Sequence, residues 1–250
     1  MNNINRIVLS AIVVIAAAPQ FAAAHGGIYF HHVNGQPALG WNNPSTGLID
    51  AWPDRVSRSN WNWHTATGAF SSSSPSWSTK PREGDILGFR VLTSLQKWDD
   101  TLGMFVDSAF DARITYTIAG NNYQVITNPA NGTAGFEFAM TSSIAPDYWH
   151  LRHSLHGVAQ DNPDATGVYR LNYEARRTFV ASIDDAVLGT HAAGTTVVYP
   201  AFGMLFNRGA ATDVYDRAFG YAKTNVVPEP ATLAALALGL AGVARRRKSR

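Results

Sequence analysis

Residues 168–174 have the sequence Val-Tyr-Arg-Leu-Asn-Tyr-Glu, in which apolar and polar side chains alternate. A period of two residues is typical of a β-strand that has one buried face. The same period occurs in four other stretches, which are residues 86–92, 113–118, 123–127 and 196–206. The chain therefore contains several short strands.

The segments between these stretches favour turns. Gly120, Asn121 and Asn122 separate two of the predicted strands, and Gly and Asn tolerate the positive φ angle of a tight hairpin turn. No window shows a long helical stripe with caps at both ends. We therefore predict an all-β fold, a single antiparallel β-sandwich or jelly-roll-like domain over residues 25–225.

The composition agrees with one such domain and excludes several chemistries. The chain has 250 residues, of which 46% are hydrophobic and 15% are charged, and this apolar content can supply a core. It contains no cysteine. A disulfide scaffold, a thiolate zinc site, an iron–sulfur cluster and a cysteine nucleophile are therefore excluded.

Residues 1–24 are predicted to be a secretory signal peptide. Arg6 supplies the positive start, an apolar run follows over residues 7–18, and Ala22 and Ala24 are the small residues of a cleavage site. The apolar run is too short to span about 30 Å of hydrocarbon. We expect export through the Sec translocon and cleavage by signal peptidase, which leaves His25 as the first residue of the mature protein.

Residues 226–250 combine a Pro-Glu-Pro motif, an uncharged apolar stretch over residues 231–244 and a basic cluster, in that order. The apolar stretch predicts a short, weakly hydrophobic transmembrane helix. The residues that define the two flanking elements are Pro228, Glu229 and Pro230 before it and Arg245, Arg246 and Arg247 after it. This arrangement resembles the PEP-CTERM sorting tail of Gram-negative bacteria.

The resemblance to PEP-CTERM proteins implies how the chain is handled in the cell. Such a tail is recognised by an exosortase, a membrane cysteine protease. The chain would cross the inner membrane, remain anchored there transiently, and then be released or attached at the cell surface. Proteins of this kind usually accompany exopolysaccharide production, so exopolysaccharide is an expected partner.

The positive charge of the whole chain belongs to these two sorting regions. Arg6 and the five basic residues of 245–250 account for six of the 20 positive charges, and Glu229 for one of the 18 negative charges. The stretch between the two regions therefore carries a net charge of −3. This balance argues against nucleic acid as a partner and makes cations the better expectation.

Eight histidines suggest that the bound cation is a metal ion. Without cysteine, a transition-metal site would use imidazole and carboxylate ligands. We predict zinc binding at His25 and His150, with His31, His153 and His156 as further candidate ligands. Residues 150–156 on one straight strand cannot enclose an ion, so a second strand has to contribute, and the N-terminal histidines are the natural donors.

Ordinary packing is the alternative for each histidine. On a strand, His153 would share a core-facing side with Leu151 and Leu155. His32 is expected to be buried and hydrogen-bonded. His64 and His191 are expected at the surface.

A second resemblance also points to zinc. Residues 148–152, Tyr-Trp-His-Leu-Arg, and 167–171, Gly-Val-Tyr-Arg-Leu, are similar to a histidine motif of bacterial surface-anchored domains. Some PEP-CTERM members of this group are linked to zinc homeostasis. Tyr148 stands where the motif has its first histidine, so one presumed ligand is replaced.

Two further functions remain open. A mature N-terminal His25 could form a copper histidine brace with His150 or His153, as in polysaccharide-oxidising monooxygenases. Alternatively, Trp61 and Trp63 could stack on sugar rings and make the protein a carbohydrate-binding module. No Gly-x-Ser-x-Gly, His-Glu-x-x-His, phosphate-loop or EF-hand motif occurs, and no catalytic residues are predicted, so a non-enzymatic role is expected.

Overall fold

The computed structural model describes residues 27–43, 46, 48–80, 82–118, 121–127, 135–140 and 148–225. Strands make up 55% of the structure, which confirms the predicted all-β, sandwich-like fold. The helix of the described residues is α1 (Thr212–Thr224). The strands are β1 (Gly27–Val33), β2 (Gln36–Asn42), β3 (Ile49–Ala51), β4 (Val56–Asn60), β5 (Asn62–His64), β6 (Ala69–Ser72), β7 (Ser76–Thr79), β8 (Ile86–Val91), β9 (Gln96–Asp99), β10 (Met104–Asp107), β11 (Asp111–Ile118), β12 (Asn121–Ile126), β13 (Gly135–Ala139), β14 (Tyr148–Trp149), β15 (Arg152–His156), β16 (Gly167–Thr178), β17 (Ile183–Asp185), β18 (Gly189–His191), β19 (Thr196–Val198) and β20 (Phe202–Arg208).

The described strands form three large sheets and one small hairpin. Sheet A has the order β14-β7-β1-β2-β3, and sheet C has the order β12-β11-β15-β6-β5. Sheet B has the order β10-β9-β16-β20-β4, with β8 and β19 also paired to β16 and β13 paired to β8. β17 and β18 form the hairpin. The described pairs are antiparallel except β1–β7 and β4–β20, which are parallel.

The long strand β16 shows how the alternation builds the core. Tyr169, Leu171 and Tyr173 project from one face of β16 and are fully buried. The ring of Tyr173 lies 5.3 Å from that of Trp77 in sheet A and 5.8 Å from that of His153 in sheet C, measured between centroids. One face of sheet B therefore packs against both other sheets.

The opposite face of sheet B is covered by α1. Val168 and Leu205 pack there against Tyr215 and Ala218 of the helix. This helix is not predicted by the sequence pattern, because its N-cap is Ala211, whose side chain makes no capping hydrogen bond. Within the described ranges, no helix has the length and apolar character needed to cross a membrane.

One predicted strand and one predicted turn differ in extent from those of the structure. The predicted strand over residues 196–206 is divided into β19 and β20. Pro200 lies between them and has no N–H group for a strand ladder. The predicted hairpin joins β11 to β12, with Ile118 opposite Asn121. Asn121 and Asn122 thus belong to the second strand rather than to the turn.

Candidate functional site

Several predicted functional residues lie outside the described residues. They are His25, Pro228, Glu229, Pro230, Arg245, Arg246 and Arg247. The predicted signal peptide and the predicted anchor helix lie outside as well. The structure therefore bears on the remaining histidines and on the two tryptophans.

His150 follows β14 at the edge of sheet A. Its Nδ1 atom lies 2.7 Å from the backbone oxygen of Ser73, in the segment that leads into β7. On the other side of β7, Gly27 at the start of β1 is opposite Ser76. Gly27 comes two residues after His25 in the sequence. The start of β1 and His150 therefore both lie beside the segment that contains the beginning of β7.

His31 lies in the middle of β1, opposite Ala38 of β2. Its ring is partly buried, and its centroid is 6.0 Å from that of the Tyr29 ring in an edge-on contact. Burial lowers the pKa of His31, and a hydrogen bond with the backbone of Leu39 opposes this shift in part. The neutral ring, which is the metal-binding form, is therefore favoured at His31.

His153 is a core residue of β15. Its side chain is fully buried, and its ring centroid lies 5.8 Å from that of Tyr173 and 5.0 Å from that of Phe206. Neither ring nitrogen forms a hydrogen bond of normal geometry within the described part of the chain. Burial lowers the pKa of His153 to about 3, and hydrogen-bonding interactions with the backbones of Leu151 and Ser72 oppose part of this shift. His153 is therefore neutral in the folded protein at physiological pH.

His156 ends β15 and is partly exposed, opposite Asp111 of β11. Leu151, His153 and Leu155 are buried, which confirms the predicted core-facing side of this segment. Among the residues that the structure describes, no three His, Asp or Glu side chains form a group that could hold a metal ion. Zinc binding by the predicted histidines therefore stays a prediction.

A different pair of histidines is in contact. His32 in β1 and His191 in β18 have ring centroids 5.0 Å apart. His32 is 7% exposed, and neither of its ring nitrogens forms a hydrogen bond of normal geometry with a described residue. Burial lowers the pKa of His32 to about 4, with His191 and His31 adding to the effect and the backbone of Val187 opposing it.

His191 is held more firmly than the sequence suggested. It was expected at the surface, but its ring is partly buried and stacks on Phe179 with centroids 4.5 Å apart. Its Nε2 atom lies 2.8 Å from the backbone oxygen of Leu188. The sequence gives no indication of the contact with His32, because the two residues are far apart in the chain.

The two candidate sugar-binding tryptophans have different surroundings. Trp61 is 3% exposed, its indole N–H donates to the backbone oxygen of His153 at 3.1 Å, and its ring stacks on Phe206 at 4.7 Å. Trp63 is partly buried and packs edge-on against Phe70 at 5.1 Å. A ring that stacks on a sugar needs one face open to solvent, whereas Trp61 packs in the core. Carbohydrate binding by the two tryptophans stays a prediction.

A buried ion pair joins the core of sheet B to the end of β7. Arg177 and Asp85 are both fully buried, with Nη2 of Arg177 2.6 Å and Nε 2.8 Å from Oδ2 of Asp85. Arg177 also donates to the hydroxyl of Thr79 and to the backbone oxygen of Lys80, and Oδ1 of Asp85 accepts from the backbone N–H of Val180. The guanidinium of Arg177 and the carboxylate of Asp85 therefore both take part in structural contacts.

Comparison with known protein families identifies the tail of the chain. The PEP-CTERM protein-sorting motif matches residues 226–248. The chain carries a PEP-CTERM sorting domain. No characterised protein and no solved structure matches the chain significantly. The resemblance of residues 148–171 to a histidine motif has no support in these comparisons.

The PEP-CTERM motif explains how this protein is sorted. It implies export, membrane anchoring before processing, and processing by an exosortase. The matched region starts directly after Asn225, the C-cap residue of α1. The protein is therefore an exported exosortase target whose sorting motif begins in the sequence directly after α1.

Proposed function

We propose that the mature protein is a non-enzymatic component of the cell surface or of the extracellular matrix. The observation that carries this proposal is the position of the PEP-CTERM motif directly behind α1. The helix is packed on sheet B, and the hydroxyl of Tyr215 is within 2.9 Å of both the backbone nitrogen and the backbone oxygen of Ser59. The β-sandwich is thus the part that remains after the tail is processed.

Substitution of the motif tests the tail processing on which this proposal depends. In a host that contains an exosortase, Glu229→Ala together with Pro230→Ala should leave the chain unprocessed in the membrane fraction. Lys223→Ala is the matched control, because it lies just before the motif and removes only an ion pair with Asp54 and a contact with the Phe219 ring, both on the surface of α1. The control should be processed and exported like the wild type. Normal export of the motif variant, with the tail removed, would contradict the proposal.

A second candidate function, zinc binding through His25 and His150, is favoured by the register of sheet A. Gly27 and His150 flank the segment of Ser73 and Ser76 from opposite sides. Two residues of extended chain reach about 7 Å, so His25 can approach this region from Gly27. The contact of His150 Nδ1 with a backbone oxygen is also the kind of bond that orients zinc-ligating histidines.

Calorimetric titration with zinc tests this second function. His25→Ala and His150→Ala should each weaken zinc binding, whereas His64→Ala, an exposed histidine of β5, should leave it unchanged. The N-terminus of each purified variant has to be sequenced, because His25 borders the predicted cleavage site. Unchanged zinc binding in the double variant would contradict the site. Copper-dependent oxidation of a polysaccharide would instead indicate the histidine-brace alternative.

A further inference from the structure

We propose that His32 and His191 form a separate binding site for a divalent zinc ion, with two imidazole ligands and water in the remaining positions. The site lies where β1 of sheet A meets the β17–β18 hairpin. It does not depend on His25, on His150 or on the processing of the tail. Three independent features of the structure carry this inference.

The first feature is the separation of the two rings. Zinc–nitrogen bonds of about 2.0–2.1 Å at a tetrahedral angle place the centres of two ligating imidazoles about 5 Å apart. The centroids of His32 and His191 are 5.0 Å apart, with 54° between the ring planes. The rings are therefore spaced as two ligands of one tetrahedral ion would be.

The second feature is the support of His191. Its Nε2 atom lies 2.8 Å from the backbone oxygen of Leu188, and Phe179 stacks on its face with only 12° between the planes. Donation from Nε2–H to the backbone oxygen would leave the lone pair on Nδ1. A bond of this kind fixes the tautomer and orientation of most metal-ligating histidines. The ring of His191 is thus held in place by Leu188 and Phe179, with Nδ1 as the nitrogen that does not bond to Leu188.

The third feature is the unsatisfied ring of His32. Both of its nitrogens are buried without a hydrogen bond of normal geometry to a described residue, and the residue is 7% exposed. A buried polar atom without a partner costs about 1–3 kcal/mol, so such atoms usually have a ligand or an ion to bind. A zinc ion between the rings would satisfy one nitrogen of His32.

Gly189 of the hairpin lies against the edges of both rings. Gly189 has a φ angle of +78°, and a Cβ atom there would lie 3.2 Å from Nε2 of His191 and 3.4 Å from Cδ2 of His32. A side chain at this position would therefore press on both rings. His191 is partly exposed, so an ion can enter from the side of the hairpin. Imidazole ligands favour zinc over the hard cations magnesium and calcium.

Zinc titration in a background that lacks the other proposed site tests this inference. The full chain with His25→Ala and His150→Ala is titrated with zinc chloride by calorimetry, with magnesium chloride as the control ion. We expect one zinc per chain, a zinc-dependent rise in the midpoint of thermal unfolding, and no response to magnesium. Absence of zinc binding in this background would overturn the proposal.

Two further variants in the same background locate the zinc ion. His191→Ala changes a partly exposed side chain and should weaken zinc binding at least tenfold, whereas His64→Ala should have no effect. His32→Phe keeps an aromatic ring in the buried position and should abolish the zinc-dependent rise. If His32→Phe does not fold, the zinc affinity of His191→Ala still tests the proposal. Zinc affinity in His191→Ala equal to that of the background chain would overturn the proposal.

Discussion

Replacement of the buried His153 by phenylalanine should make the stability of the protein less sensitive to acid. His153 is fully buried between the rings of Tyr173 and Phe206, and neither of its nitrogens forms a hydrogen bond of normal geometry. Phenylalanine is also a flat aromatic ring and has no polar ring atoms, but its ring is larger than imidazole. The hydrogen bond from Trp61 goes to the backbone oxygen of His153 and is retained.

The size of the effect follows from the two pKa values. The pKa of His153 is about 3 in the folded protein, against 6.5 for the unperturbed side chain. The unfolded chain therefore binds more protons between these values, and the free energy of unfolding falls as the pH falls below 6.5. At a slope of about 1.4 kcal/mol per pH unit, His153 alone should remove about 2 kcal/mol between pH 6.5 and pH 5.

Urea denaturation of the full chain at a series of pH values from 5 to 7.5 measures this loss. The wild type should lose about 2 kcal/mol more than His153→Phe over this range, because the variant lacks the titrating group. The loss of the two ring nitrogens favours the variant and its larger ring opposes it, so the test compares the slopes of the two pH profiles rather than the stabilities at one pH. His64→Phe is the control and should keep the wild-type pH profile. Parallel profiles for the wild type and His153→Phe would refute the assignment of a neutral, unpaired His153.

Two other predictions concern the core. Asp85→Ala should lower the free energy of unfolding by about 3–5 kcal/mol, because it leaves the guanidinium of Arg177 buried without its partner. Arg217→Ala removes exposed ion pairs with Asp100 and Asp213 and should destabilise the protein far less, and equal losses in the two variants would contradict this prediction. Trp61→Ala should cost about 3–5 kcal/mol in chemical denaturation, and Trp63→Ala should cost less. A Trp61→Ala variant as stable as the wild type would show that this ring is not part of the core.

Local sequence patterns predicted β8, β11, β12, β16 and the region of β19 and β20, but not the other strands or the helix. Alternation over residues 168–174 identifies β16 because its buried face points to the core along the whole strand. The helix α1 carries no such evidence at its start, where Ala211 provides no capping side chain. Its stability comes from contacts of Tyr215 and Ala218 with sheet B, and these form only in the folded chain.

The contacts of individual histidines were harder to predict than the fold. The alternation of residues 151–155 correctly predicts that His153 faces the core. The contact of His32 with His191 joins β1 to a hairpin that comes much later in the sequence. No rule based on sequence spacing predicts a contact between such distant residues. Sequence patterns report on neighbours along one strand, whereas this contact depends on how the sheets pack.

The mass of the C-terminal peptide of the exported protein shows whether the tail is processed. We expect the chain to be processed at its PEP-CTERM motif, so that mature protein recovered outside the inner membrane lacks Arg245, Arg246 and Arg247. The membrane fraction of a host without exosortase should retain these residues. Exported protein whose C-terminal peptide still contains Arg247 would contradict the account.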